Sequence, residues 1–293
     1  MSNSTSNDNN SNWSYNPSTG AAYLFTVLWG LTSLFHLVQM IQFRKWYCWV
    51  LTMGCTWEFF GFVTRILAIK HPTENKYYAP SLALIVLAPI WIAAFDYMSL
   101  GRLILLFLPS KRCLGLSARK VALIFVAGDI TSFMVQLAGT GFLIGNNPSP
   151  HDYHIGTSLL ISGQAMQLFL FGIFMILAAR FEADYKREFG GIGRERWVPF
   201  MRILNLSCAC IVLRSIFRVA EFASTYPGPL VTHEAPFYLM DELPMIVTAV
   251  AFHFVHPGQT LVGEESSFRA QKKKQQAQAE DGDVMVLEGV ERA

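Results

Sequence analysis

The sequence predicts an all-α polytopic membrane protein: a bundle of seven transmembrane helices with its N-terminus outside and its C-terminus in the cytoplasm. Three observations carry this. First, of 293 residues, 52% are hydrophobic and only 15% charged, where a soluble domain carries about a quarter charged residues. Second, the apolar residues come in seven long blocks, roughly 22–43, 46–69, 79–108, 120–144, 155–179, 200–223 and 236–255, each near or above the ~20 residues that cross a bilayer core. Third, Lys and Arg are distributed unequally between the two sets of connections. Sixteen fall in the 43–46 turn (Arg44, Lys45), the 109–120 loop (Lys111, Arg112, Arg119, Lys120), the 180–199 loop (Arg180, Lys186, Arg187, Arg194, Arg196) and the tail (Arg269, Lys272, Lys273, Lys274, Arg292). The opposite side has only Lys70 and Lys76. The positive-inside rule puts the tail and the loops after spans 1, 3 and 5 in the cytoplasm.

The first 20 residues hold six Asn, six Ser and no Lys or Arg. Such a segment is a solvated arm, unlike the basic start of a cleaved signal peptide, so the first span inserts as an uncleaved anchor. Asn3, Asn9 and Asn12 each begin an Asn-x-Ser/Thr triplet and are glycosylation candidates, although chance produces such triplets in any Asn/Ser-rich stretch. Residues 21–258 form the helical domain. Residues 259–293 read as a disordered cytoplasmic tail, basic from Arg269 to Lys274 and then acidic at Glu280, Asp281 and Asp283; its basic half suits anionic lipid headgroups.

Charges inside the spans are the informative residues, because each is costly in hydrocarbon unless it meets a partner or water. Span 2 carries Glu58 and Arg65, seven residues apart and so on one face. Span 3 carries Asp96 and Arg102, span 4 Asp129, Ser132 and Gln136, and span 5 Gln164 and Gln167. Span 6 has Arg214, Arg218 and Glu221, and span 7 has Asp241 and Glu242. Helix direction in the bilayer, outward for spans 2, 4 and 6 and inward for 3, 5 and 7, places Arg65, Arg218, Glu221, Asp241 and Glu242 in the outer half, Glu58, Asp96 and Asp129 near the middle, and Arg102 toward the cytoplasm. Six carboxylates against four arginines suit buried pairing with a small acidic surplus, for which Glu242 and Asp96 are the natural candidates. Arginine–carboxylate pairs also pin helices together without touching any substrate, and for a single pair the two roles weigh about equally.

Gly101, Gly128, Gly139, Gly141, Gly156 and Gly163 are expected to let helices approach closely, and Pro89 and Pro244 to kink spans 3 and 7. Trp13, Trp46, Trp49 and Trp197 fall near span ends, as interfacial aromatics do. The five cysteines read as small buried hydrophobes; Cys113, beside Lys111 and Arg112, is a weak palmitoylation candidate. His36, His253 and His256 make a zinc-dependent intramembrane hydrolase conceivable, but satisfied histidines are the better reading. No cofactor-binding motif, nucleotide loop, Ser/His/Asp set or nucleic-acid patch stands out.

An ordered series of short motifs then points to a family. It comprises Tyr15-Asn16-Pro17-Ser18, Glu58-Phe59-Phe60-Gly61 with Arg65, Leu87-Ala88-Pro89, Ala93-Ala94, Tyr97-Met98 and Gly101-Arg102. It continues with Asp129-Ile130-Thr131-Ser132, Gln136, Gly139, Gly141, Gly163 and Gln167, then Arg214, Arg218 and Glu221, His233-Glu234, Tyr238 with Asp241, and His256-Pro257-Gly258. Over residues 15–258 the chain resembles the fungal lipid-translocating exporters, the RTA-like proteins associated with resistance to aminocholesterol. The resemblance implies a seven-helix protein, most often of the plasma membrane, that exports or flips amphiphiles such as sphingoid bases and contributes to resistance against toxic lipophiles. It also implies lipids as partners and no enzyme activity. The family's polar positions carry over to Glu58, Arg65, Arg102, Asp129, Gln136, Gln167, Arg214, Arg218, Glu221, Glu234 and Asp241, with Tyr238 beside them. Asp96 and Glu242 stand where the family is usually apolar or small, Gln164 replaces a Leu, Phe62 a Tyr, and Ser224-Thr225-Tyr226 stands where Gly is common; these departures favour a cationic amphiphile slightly. A seven-helix receptor is the alternative. Against it stand Gly101-Arg102-Leu103 at the inner end of span 3, the absence of paired outer cysteines, and a seventh span without lysine.

Overall fold

The computed structural model describes residues 13, 15–143, 149–190, 197–223 and 232–260. The glycosylation candidates Asn3, Asn9 and Asn12, the loop residues Arg194 and Arg196, residues 224–226 and the tail from 261 onward lie outside the described residues.

Helix α1 (Thr19–Phe43) starts where the Ser18 side chain accepts a hydrogen bond from the Ala21 amide at 3.3 Å. That bond satisfies one of the donors every helix start leaves open. It stops at Arg44, whose left-handed backbone (φ 53°) closes the last turn. A single 3-10 turn (Trp46–Cys48) leads into α2 (Trp49–Lys70), followed by α3 (Asn75–Phe107). A two-residue hairpin, β1 (Arg112–Cys113) and β2 (Leu116–Ser117), separates α3 from α4 (Ala118–Leu143). Helix α5 (Pro150–Phe189) opens with a reciprocal box between Ser149 and Asp152, has Pro150 at its first turn, and ends on Gly190 at φ 74°. After α6 (Val198–Ala223), a π-helical turn (Phe237–Glu242) runs without a break into α7 (Leu243–Phe254), and a short α8 (Pro257–Thr260) follows.

Successive helices pack side by side, and α1 also meets α7, so the seven form a closed ring. Helix α3 touches both α5 and α6 across the middle. The outside of the ring is greasy: Phe254 is 78% exposed, Leu123 70% and Phe169 67%, while Glu58, Asp96 and Asp241 are fully buried. That inversion of the soluble pattern is what a bundle solvated by lipid requires.

Six helices are long and apolar enough to cross a membrane: α1, α3, α4, α5, α6 and the continuous stretch Phe237–Thr260. Helix α2 is long enough, at 22 residues or ~33 Å, but Glu58, Arg65 and Lys70 lower its apolar character. The helices also outrun the expected spans. Helix α5 continues ten residues past 179, through what the sequence suggested was a loop, because Arg180, Asp184 and Lys186 tolerate water and Arg180 pairs with Asp184 one turn on at 3.0 Å.

Close helix approach is only partly where the glycine pattern put it. A Cβ on Gly139 would meet the Gly156 carbonyl oxygen at 2.7 Å, and one on Gly163 the Ser132 carbonyl at 2.8 Å, so α4 and α5 are locked by these two. Gly141 is a correction: nothing lies within 4 Å of its missing Cβ, because it sits on the outer face. Trp197 is another. Only 1% exposed, it is walled in by Phe107, Phe181 and Tyr185 rather than placed at a lipid interface, whereas Trp46 and Trp49 are exposed. Cys113 is buried as well, its Sγ 3.7 Å from the Leu177 carbonyl and 3.8 Å from Asp184, which makes it a poor acylation site.

Candidate functional site

The polar side chains of six helices meet inside the ring. Starting from the end that holds the N-terminus, the first group centres on Arg65, 1% exposed near the end of α2. Its Nη2 donates to Glu234 Oε1 at 3.0 Å and to the Tyr15 hydroxyl at 2.9 Å. The guanidinium also lies over the Trp13 and Phe237 rings, 4.7 and 4.5 Å from their centroids. The other Glu234 oxygen accepts the Ser18 amide at 2.6 Å. One carboxylate thereby ties the starts of α1 and α7 to the end of α2. Tyr238 stacks on Phe25 (4.9 Å) and Phe62 (6.2 Å) directly beneath.

The second group is the strongest. Asp241 is fully buried and held by two arginines: Arg214 Nε at 2.6 Å from Oδ1, and Arg218, which reaches both oxygens. Arg218 also donates to Glu221 Oε2 at 2.9 Å. These four side chains balance in charge. The π-helical turn explains how Asp241 and its neighbour Glu242 both face inward: its wider turn takes in two successive residues, which stand ~100° apart on a regular α-helix. Pro244 follows at once, and its missing N–H leaves the carbonyl one turn back without its helical donor, so the expected kink of α7 takes the form of this turn.

Two acids lie beside this network without a cation of their own. Glu242, 1% exposed, accepts the Trp29 indole N–H at 3.3 Å. Glu58 is fully buried, and neither of its oxygens has a hydrogen-bond partner. Glu58 and Arg65 share a face of α2 as expected, but Arg65 pairs with Glu234 instead. Deeper in the ring, Ser207 donates to Asp96 at 2.6 Å and the Tyr97 hydroxyl to Asp129 at 2.8 Å, leaving one oxygen of each acid unpartnered. The surplus acids are therefore Glu58, Glu242, Asp96 and Asp129, not only the two the charge count suggested. Arg102 lies 3.6 Å over the Tyr47 ring with its Nη1 on the Met98 carbonyl.

The glutamines form a third group. Gln136 and Gln164 both donate to Gln167 Oε1, each at 3.5 Å. They line a small polar cavity together with Arg214 and Arg218, closed by Val86, Ile90, Phe133 and Phe222. Ile90 and Phe133 also line an apolar furrow of about 390 Å³ between α2, α3 and α4, together with Trp57, Leu87, Trp91, Met98, Ile130 and Met134 among others.

Sequence reasoning missed the uncharged partners Trp29 and Ser207, which are ordinary helix residues until the fold sets them opposite an acid. Glu234, Tyr15 and Tyr97 were legible only through the family motifs. The histidines are otherwise engaged: His36 bonds the Ala249 carbonyl at 3.0 Å and stacks on His253 at 3.9 Å, His253 bonds Gln39, and His256 stacks on Phe43. Among the described residues no three His, Cys, Asp or Glu side chains stand where one metal ion would join them.

A ring of apolar helices with buried ion pairs inside and a greasy exterior defines a polytopic integral membrane protein. The sequence matches the family described as RTA1 like protein over residues 51–264, and this chain belongs to that family. It is 34% identical over 272 residues to the probable lipid transporter atnI of Emericella nidulans, covering 89% of this chain and 71% of the relative. Over 205 residues it is 35% identical to protoporphyrin uptake protein 1 of Saccharomyces cerevisiae, covering 68% of this chain and 65% of that one. It is 24% identical to the sphingoid long-chain base transporter RSB1 of the same species over 82% of this chain and 72% of the relative. No solved structure matches the chain.

Proposed function

We propose that this protein is a transporter, not an enzyme, and that it moves lipids or lipophilic amphiphiles across the plasma membrane. The observation that carries the reading is the column of buried polar groups from Arg65 through Asp241 and Glu58 to Asp96 and Asp129, inside a ring whose outer surface is apolar. Buried charge of this extent destabilises a bundle that only needs to pack. It is useful where a polar head must cross while its tail stays in hydrocarbon. The relatives named for lipid, protoporphyrin and sphingoid-base transport support that substrate class.

In this reading α2 is the seventh span, with Glu58 and Arg65 turned inward and Lys70 exposed at its end. The arm of residues 1–20 lies outside, with Asn3, Asn9 and Asn12 open to glycosylation; residues 21–258 cross the bilayer, and residues 259–293 form a cytoplasmic tail. The substrate path runs past Glu58, Arg65, Asp96, Arg102, Asp129, Gln136, Gln167, Arg214, Arg218, Glu221, Tyr238, Asp241 and Glu242. The test is leaflet movement of a fluorescent sphingoid base in vesicles containing the purified protein. Movement is expected with the wild type and its loss with Asp241→Asn and Arg218→Ala. If both variants fold and transport like wild type, the polar column is not the path.

A further inference from the structure

The polar cavity and the apolar furrow share a wall, since Ile90 and Phe133 line both. We propose that the two are head and tail compartments of one binding site for a single-chain amphiphile with an uncharged hydroxyl- or amide-bearing head, entered sideways from the bilayer and partitioned by Ile90 and Phe133. This rests on the reading of the protein as an amphiphile transporter and specifies where and what it binds.

The furrow fits a chain. Its volume, about 390 Å³, lies in the range of small-molecule sites. Its mouth is open to hydrocarbon, because Ile130 and Met134 on its α4 edge are each 50% exposed. The cavity fits a head that brings hydrogen bonds but no net charge. Its two arginines are already neutralised by Asp241 and Glu221. Its three glutamines hold one another only weakly, two donors sharing one acceptor at 3.5 Å, the outer limit of a hydrogen bond. A hydroxyl at ordinary distance replaces those bonds with better ones. As it stands, the cavity leaves about 20 Å³ accessible to water, room for one molecule, so a head enters only when the partition moves. The partition is placed to move. Ile90 follows Pro89, which has no N–H to give the Ile85 carbonyl one turn back and so weakens α3 there.

The furrow contains its own reporters, Trp57 and Trp91. Bromine on an alkyl chain quenches indole fluorescence on contact. The probe is a monoacylglycerol with a dibrominated chain, added to the full protein in nanodiscs of unbrominated phosphatidylcholine. Saturable quenching is expected, lost in the Trp57→Phe/Trp91→Phe double variant. Gln167→Leu and Gln164→Leu, each checked for native thermal stability, should raise the half-saturating concentration about tenfold, the worth of one hydrogen bond. Phe133→Ala should lower it. The proposal is overturned if quenching rises linearly with mole fraction as it does for brominated phosphatidylcholine, if neither glutamine variant shifts it, or if a brominated alkylammonium saturates at lower concentration than the monoacylglycerol. Failure here is separable from failure of the transport reading. Saturable quenching without leaflet movement keeps the site and removes translocation, and movement without saturable quenching does the reverse.

Discussion

Asp241 and Glu58 are both fully buried acids, yet removing the charge of each is expected to have a different effect. Asp241 neutralises two arginines, so Asp241→Asn leaves Arg214 and Arg218 with a single carboxylate, Glu221, between them. Breaking a buried pair of this kind costs ~3–5 kcal/mol, and a clear fall in the melting temperature of the detergent-solubilised protein is expected. Glu58 has no donor on either oxygen, so Glu58→Gln removes no bond and should leave the melting temperature unchanged or raise it. If Glu58→Gln destabilises as much as Asp241→Asn, Glu58 has a partner that the structure does not show. Cys113 gives a test at the same scale outside the spans. Burial, and then the Asp184 carboxylate, push its thiol up to about 11. The reactive thiolate is therefore scarce at neutral pH and grows as pH rises toward that value. Maleimide labelling at Cys113 should be slow at pH 7 and accelerate with pH by more than an exposed cysteine does.

Among the elements, α4 and α5 are joined through glycines that leave no space for a side chain. Gly163→Val would drive its Cβ to 2.6 Å from the Gln136 side chain and 2.8 Å from the Ser132 carbonyl. The backbone contact has no way to yield, so the helices must part. A loss of ~1–3 kcal/mol is expected, together with disturbance of the glutamine group that Gln136 belongs to. Gly141→Ala is the control on the same helix. With open space at its Cβ, it should stabilise α4 by up to ~1 kcal/mol through helix propensity. Thermal unfolding of the two variants side by side reads both signs. The π-helical turn before Pro244 is the other element-scale device, since it presents Asp241 and Glu242 together to the core.

For the whole molecule the checkable quantity is orientation. A cysteine placed at Asn12 should react with a membrane-impermeant maleimide in intact cells, and one at Lys273 only after permeabilisation, both on a background lacking the native cysteines. The reverse pattern would invert every inside and outside assignment and leave the helix packing unaltered. A ring closed by the α1–α7 contact also explains why the Arg65–Glu234–Ser18 group sits where it does, joining the beginning of the ring to its end.

Six helices long and apolar enough to span, the apolar exterior and the residues that carry buried charge were legible in the chain, because a spanning helix must satisfy its backbone internally and so announces itself by length and hydropathy. The charge bias between loops is a sum over sequence in the same way. Pairing was not legible. Sequence placed Glu58 and Arg65 on one face and counted six acids against four arginines, but it did not show that Arg65 reaches Glu234, that Asp241 takes two arginines, or that Trp29, Tyr97 and Ser207 serve the acids left over. Those are contacts between residues up to 213 positions apart, decided by which helices adjoin and how each is rotated. The shared wall of Ile90 and Phe133 belongs to the same class: two unremarkable apolar residues become a partition only once α3 and α4 are packed between a furrow of hydrocarbon and a cluster of amides.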